Sequence, residues 1–513
     1  MKVDITTVPE DDKDTWTMIQ EGRVKGCFQI ESHLGKTWCK ALRPENLEEL
    51  AALISIIRPG TLKAIVDGKS MTQHFVDRKH EKESVPSLHK TIDSVLKETH
   101  GVIVYQEQAM EIAVKMAGFN LKEADDLRKA IGKKKADLMK EIRVKFIDGS
   151  KANGVSEVTA TDIFNMIEKS ARYSFNKSHA VAYAKMAYWT AWIKCKHAEK
   201  FFKHWLRGAD DKLDPDMEKR QLIMAAKAED ISIVGPSINV LEENFSWHKG
   251  AIHFGICNVK NVGGVHLLEL KDSLGKLEKR DWSHILVHAL MSINKRAVEN
   301  LISTGAFAGL GKSRTEMLHE YHCYSELTDR EIKAVQEHID ISDNSVTKII
   351  EAFLARGSKK NGGFIATQSR VDKIQNVLLR LVNPGRNLSD NPMVYAKTEE
   401  SLLGYAVNHS ELNACLEAHH ANTTCKEVTE GRSNNCIIAV VLKKVREHTT
   451  KKGDKMAFLS AEDESGELEN IVVFPDIYEQ NKAIIYEQAT VLLSGQIKDK
   501  ERKSFIVEGV FLI

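Results

Sequence analysis

Near residue 436 the apolar residues of this chain change their period, and that change limits the fold more than any other feature. Up to about residue 235, segments 45–57, 106–117, 121–146, 159–170 and 179–206 carry apolar positions every three to four residues, as amphipathic helices require. Pro59-Gly60, Gly101, Gly118, Gly149 and Gly154 punctuate them. Only VIVY (102–105) reads as a strand in that stretch. After Gly235-Pro236 come a strand-like stretch near 251–256 and two helices approached by glycine turns, ending near Gly311. Residues 313–430 read as helical and irregular, with loops at 357–363 and 384–391. From 437 onward apolar and polar residues alternate, giving strands at 437–445, 455–463, 467–474, 489–497 and 504–512 and a short helix after Pro475.

Five strands with a helix between the third and fourth is the order of an OB-fold, a small barrel that often holds single-stranded nucleic acid. Gly495 falls in a strand where the barrel must curve, and Lys451, Lys452 and Lys455 fill a loop between strands. A barrel used for protein contacts fits the same pattern. At 513 residues the chain exceeds one hydrophobic core, so three or four units are expected. The expected class is multidomain, mainly α, with a C-terminal all-β barrel. No run of about 18 apolar residues occurs and MKVDITTVPEDDKD lacks the apolar core of a signal peptide, so a cytoplasmic protein without a membrane partner is expected. The eight cysteines have no CxxC pair and no zinc-ligand spacing, and read as reduced thiols.

With 73 basic against 72 acidic residues the overall charge says nothing of nucleic acid. Its distribution does: Arg128 to Lys145 holds eight Lys/Arg against Asp137 and Glu141, a stripe that can neutralise phosphates or serve as a solvated helix face. Within it LRKAIGKKK (127–135) groups Arg128, Lys129, Lys133 and Lys134 around Gly132, as a polyanion such as a triphosphate requires. In IIRPGTLKAIVD (56–67), Pro59 forces Arg58 out of the helical region and Gly60 lets the chain turn; a plain helix stop reads the same way. GVIVYQEQAMEIA (101–113) puts Tyr105, Gln106, Glu107 and Gln108 at a strand-to-helix junction, suited to a ligand or to capping. In ARYSFNKSHAVAYAKMAYWTAW (171–192), Arg172, Asn176, Lys177, Ser178 and His179 precede a long helix whose first amides favour an anion. Tyr183, Tyr188, Trp189 and Trp192 follow at core spacing.

The order FQIES (28–32), IIRPG, VDRKH (76–80), HGVIVYQEQ (100–108), LRKAIGKKK and YSFNKSHAVAY resembles the fingers domain of the bacterial replicative DNA polymerase III alpha subunit, a C-family polymerase. HFGICNVKNVGG (253–264) and INKRAVENLISTGAFAGLG (293–311) resemble that family's tandem helix-hairpin-helix, and SLLGYAVNHSEL (401–412) the lead-in to its OB-fold. The resemblance implies a fingers domain at 1–235, hairpins at 236–312, a helical connector at 313–430 and an OB-fold at 431–513. It implies that Arg128, Lys129, Lys133, Lys134, Asn176, Lys177 and His179 approach the phosphates of an incoming dNTP, with Arg58, Tyr105 and Gln106 nearby. Amides around Val262, Gly263 and Gly264 would grip the duplex backbone of primer-template DNA, and Lys451, Lys452 and Lys455 a single strand. The second hairpin lacks the usual glycine-rich turn.

Polymerases of this family hold two magnesium ions on three palm aspartates in PDFD-like and KFDFLGL-like motifs, and neither motif occurs here. VPEDDKDTWTMI (8–19) resembles the segment after the third aspartate; Asp11, Asp12 and Asp14 read as helix-start acids, and Asp214 and Asp216 as loop residues around Pro215. Magnesium is therefore expected on a palm-bearing partner chain and not on this one. The expectation is a split polymerase from a bacteriophage or another rearranged replicon, inactive until joined by its palm; the alternative is a stand-alone, non-catalytic DNA-binding replication protein. The initiating methionine at a domain border fits a gene product of its own. A sliding clamp is a further candidate partner, but QNVLLRL (375–381), nearest to its binding peptide, has helical spacing.

Overall fold

The computed structural model describes residues 4–513 apart from 134–135, 171–172, 342, 360–361, 409, 432–434, 451, 488 and 500–503. The chain forms two compact units, Met1–Ala198 and Glu199–Ile513. The first is helical, and includes α1 (Leu47–Ile56), α2 (Gln106–Ala117), α3 (Leu121–Lys133), α4 (Ala136–Ala152), α5 (Glu157–Ser170) and α6 (Lys177–Lys196). Every residue of α1 from Leu50 to Ile56 is buried, so it runs through the core. It packs on α6, where Ala180, Ala184, Ala187 and Ala191 form a narrow stripe that lets the two helices approach closely. A second core gathers Ile112 and Met116 of α2, Leu127 of α3, Phe146 of α4 and Phe164 of α5.

Several sequence expectations change in this unit. VIVY (102–105) is extended but forms no strand; a lone bridge joins Tyr105 to Phe175, and α2 begins at the next residue. The stretch 121–146 is two helices, α3 and α4. Gly149 does not punctuate: it lies inside α4, where a Cβ would fall 2.1 Å from the Ala117 carbonyl oxygen, so it marks a close crossing of α2 and α4. Gly60 belongs to a short helix, Pro59–Lys63, and Arg58 before it is extended at φ −106°, ψ 154°.

The second unit contains α7 (Pro215–Lys227), strands β1 (Ser232–Val234), β2 (Ser246–His248) and β3 (Ala251–His253), then α8 (Gly264–Gly275), α9 (Lys295–Ser303), α10 (Arg314–Tyr324) and α11 (Pro392–Leu403). Asp214 and Asp216 do not sit in a loop: Pro215 starts α7 and the Asp214 side chain caps it by accepting the Met217 amide. QNVLLRL lies inside a helix, Gln368–Val382, with Ile374 and Val377 buried.

The chain ends in a closed barrel of β4 (Cys436–Thr449), β5 (Lys455–Asp463), β6 (Gly466–Val473), β7 (Thr490–Asp499) and β8 (Ser504–Leu512), with α12 (Pro475–Asn481) between β6 and β7. Strand order is β8-β6-β5-β4-β7, closed by β7 on β8, with β6 and β8 parallel and the other pairs antiparallel. That is the OB-fold order. Alternation sends Ile438, Val440, Leu442, Ala457, Leu459, Ile471, Val491 and Phe505 inward. Gly495 is a packing requirement, since a Cβ there would lie 2.2 Å from the Ile506 carbonyl oxygen. The five strands fall where alternation places them, but β4 runs on to Thr449, four residues past 445. None of the eight cysteines forms a disulfide. Among the described residues no helix is long and apolar enough to cross a membrane.

Candidate functional site

In the first unit Arg58, Phe175, His179, Tyr183 and Phe28 form a ladder. The Arg58 guanidinium carbon stands 3.6 Å from the Phe175 ring centre, a cation–π contact worth about 0.5–2 kcal/mol. Burial lowers the pKa of Arg58 below the ordinary guanidinium value. Ring centres then follow at 5.3 Å (Phe175–His179), 4.0 Å (His179–Tyr183) and 5.1 Å (Tyr183–Phe28). His179 and Tyr183 are four apart on α6, so the helical period aligns those two rungs, while Phe175 is set by its bridge to Tyr105 just before the helix cap. Phe28 comes from the FQIES segment, where its amide donates to Thr190 Oγ1 at 3.0 Å. His179 is exposed and the other rungs are half-buried, so the ladder borders solvent. Tyr188, by contrast, is core, with its hydroxyl donating to the Pro9 carbonyl at 2.8 Å.

The start of α6 is closed by the chain itself. Asn176 caps it, its Oδ1 accepting the His179 amide at 2.9 Å. Glu107 of α2 accepts from Asn176 Nδ2 and from the Lys177 amide, both at 2.9 Å. A carboxylate therefore already occupies the position where the helix dipole favours an anion. Lys177 Nζ lies 3.2 Å from Glu98 in an exposed pair and 5.7 Å from the Tyr105 ring centre. Tyr105 is 3% exposed, and burial raises its pKa. It belongs to the core beneath the site. Gln106 is half-buried and its amide donates to the Phe175 carbonyl at 2.9 Å, tying the YQEQ and FNKSH segments together.

Arg128 and Lys129 do not join this group. Both pair with Asp125, one turn back on α3, at 2.8 Å each, and that hydrogen bond raises the pKa of Lys129. α3 continues through Gly132 to Lys133 without loosening. The Lys133 side chain, Lys134 and Arg172 lie outside the described residues. Asp12 and Asp14 are held by Lys196 at 2.9 and 2.7 Å. Among the described residues no group of three or more His, Cys, Asp and Glu is arranged to hold a metal ion, so the donor set does not fit a magnesium pair.

In the second unit the turn before α8 borders a cleft of about 580 Å³ lined by Pro215, Asp216, Lys219 and Val259–Gly263. Val262 is 5% exposed and its amide donates to the Val259 carbonyl at 3.1 Å, while the Gly263 amide donates to His266 Nδ1 at 3.0 Å. Gly263 and Gly264 are exposed, and a Cβ on either would meet nothing within 4 Å. Neither glycine is needed for internal packing, which leaves the backbone open to a close ligand. The corresponding turn before α9, Met291–Asn294, has no glycine and is capped by Asn294, whose Oδ1 accepts the Arg296 amide at 3.0 Å.

On the barrel, Lys452 is exposed, Lys455 pairs with Glu447 at 3.3 Å, and Lys451 lies outside the described residues. The outward face of β4, β5 and β6 carries a patch that the short reading of β4 missed. Arg446 stands opposite Phe458, Phe458 opposite Val472, and His448 opposite Met456. The His448 and Phe458 ring centres are 5.9 Å apart and Phe458 is 40% exposed. Interleaved cations and rings on an OB barrel suit stacked bases and a phosphate backbone. Alternation in KKVREH carried straight on past 445 would have found it.

Comparisons with known proteins bear on both units. Residues 1–154 match the model of the bacterial DNA polymerase III alpha subunit finger domain, and residues 230–317 that of the helix-hairpin-helix motif. The chain is 31% identical to the DNA polymerase III subunit alpha of Aquifex aeolicus, over 99% of this chain and 40% of that protein. It is 29% identical to the Bacillus subtilis subunit, over 100% and 42%, and 28% identical to the Escherichia coli subunit, over 96% and 41%. The chain thus spans about two-fifths of the length of the relatives it matches.

Proposed function

The chain is a relative of the bacterial DNA polymerase III alpha subunit, and from that premise we propose that it supplies the nucleotide-approaching and DNA-gripping parts of template-directed DNA synthesis. The observation that carries the reading is the similarity along nearly the whole chain, together with the meeting of its family motifs at one solvent-bordering ladder. The first unit takes the incoming dNTP: Lys177 and His179 at the mouth approach the triphosphate, Arg58 backs them from its stack on Phe175, and Glu107 fixes the segment that carries them. The exposed Lys177–Glu98 pair is weak, so a phosphate can take the lysine over. The open turn at Gly263-Gly264 grips the duplex backbone without reading sequence. Arg446, His448, Phe458 and Lys452 of the barrel hold single-stranded template. The magnesium-binding carboxylates belong to a palm outside these 513 residues, which contain no palm motif.

Lys177→Ala in the assembly with its palm tests the nucleotide assignment. Losing one charge-assisted phosphate contact, about 1.5–3 kcal/mol, lowers the incorporation rate or raises the nucleotide KM roughly ten- to a hundredfold, with duplex affinity unchanged. Normal incorporation at saturating DNA, with far more DNA needed to saturate, makes Lys177 a DNA contact instead.

A further inference from the structure

A half-buried arginine ties together three parts of the second unit. Arg220 of α7 donates through Nη1 to Glu400 of α11 at 2.6 Å, and through Nε and Nη2 to Glu462 Oε1 of β5 at 3.0 and 2.6 Å. Lys443 of β4 meets the same Glu462 oxygen at 2.8 Å. Two cations and two carboxylates balance, so each charge is compensated. Glu462 breaks the barrel's own pattern. Ala457, Leu459 and Ala461 of β5 point inward, which sends Phe458, Ser460 and Glu462 outward; yet the Glu462 side chain is only 9% exposed, because Arg220 covers it.

The two helices that Arg220 joins, α7 and α11, also hold the hairpin turn. At the start of α7, Asp216 lies 3.4 Å from Lys260 Nζ, and Leu402 of α11 accepts the Lys260 amide at 3.0 Å. Each helix therefore has one contact on the Val259–Gly264 turn and one on the network around the barrel's Glu462. Enclosed ion networks add little stability over apolar packing, whereas a planar guanidinium fork fixes direction. Arg220 is thus suited to set an angle more than to add stability.

We propose that Arg220 is a positioning residue that holds the outer face of the barrel and the Gly263-Gly264 turn in one fixed register, so that a junction between duplex and single-stranded DNA is gripped on both sides at once. The inference rests on reading the turn as a duplex site and the barrel as a single-strand site. Two sites held in register bind a joined ligand more tightly than either binds its own part, and loosening their geometry removes that gain.

Fluorescence anisotropy of the full chain with a blunt duplex, a single strand and a duplex bearing a single-stranded 5′ overhang tests it. The unaltered chain should bind the overhang DNA more tightly than either part. Arg220→Met should weaken overhang binding about tenfold while the two separate affinities stay within twofold, and Glu462→Gln should act in the same direction by a smaller factor. Unchanged overhang binding in Arg220→Met overturns the proposal. So does an equal loss for all three DNAs in both variants, which makes Arg220 a folding residue. If the unaltered chain binds the overhang DNA no more tightly than the better of the two parts, the two-site reading itself fails, before any variant is needed.

Discussion

Two helix starts in this chain carry sequences suited to an anion, and the structure treats them in opposite ways. At α6 the FNKSH segment offers an asparagine cap, a lysine and first-turn amides, yet Glu107 already accepts the Lys177 amide and the Asn176 side chain. At α8 the cap is Gly263, with no side chain to accept a bond, and the two glycines face open space. A helix start filled by the chain's own carboxylate positions side chains. One capped by glycine, as at α8 where His266 Nδ1 accepts the Gly263 amide, leaves its backbone approachable by a ligand's phosphate. The same chemistry thus serves placement in the first unit and leaves the backbone approachable in the second, and the distinction lies in a residue some seventy positions away in sequence.

The largest effect is expected at the open start. Gly264→Glu suits the helix dipole and meets no neighbour, so the melting temperature should hardly move. Duplex affinity should nevertheless fall by about 2 kcal/mol, roughly thirtyfold, because a negative side chain replaces a phosphate-accessible backbone. Anisotropy titration checks this, and unchanged duplex binding would remove the turn from the DNA site. On the barrel, Phe458→Ala should weaken single-strand binding by about 1 kcal/mol, roughly fivefold, and Lys452→Ala should reduce the salt slope by about 0.7. Salt-dependent titrations that leave both values unmoved would assign the outer face to protein contacts. The smallest effect is expected at the closed start. Glu107→Gln should cost about 1 kcal/mol of stability in urea unfolding and change nucleotide KM less than threefold. Stability held constant with much tighter triphosphate binding would reverse the comparison, making the start of α6 a phosphate site that Glu107 keeps shut.

Sequence reading went furthest where a period decides the outcome. Alternation located all five barrel strands, and a three-to-four spacing located α2 and α5 but ran α6 together with the next helix, Ala198–Arg207; those periods reflect burial of one face and need no distant partner. It failed where a contact crosses the chain. Gly149 looked like a helix stop because the Ala117 backbone pressed against it is thirty-two residues away. VIVY looked like a strand because its apolar run is buried, but among the described residues it makes a single bridge, Tyr105 to Phe175. At the candidate site, Asn176, Lys177, His179 and Arg58 were legible from their motifs and do come together. Phe28 lay in FQIES without a role of its own, and Glu107 in YQEQ was open to ligand binding or capping until the fold set both against α6. Arg128 and Lys129, legible as part of a cation run, each pair with Asp125 on their own helix. Arg220 and Glu462 stand in no motif, and nothing in their spacing predicts that they meet.

The claim that this chain grips DNA and nucleotide while catalysis depends on a palm carried elsewhere is tested most directly by primer extension with magnesium and all four deoxynucleotides. The chain alone should extend no primer, and extension should appear on adding a companion that carries the palm aspartates. Extension by this chain alone, free of contaminating polymerase, would contradict the account.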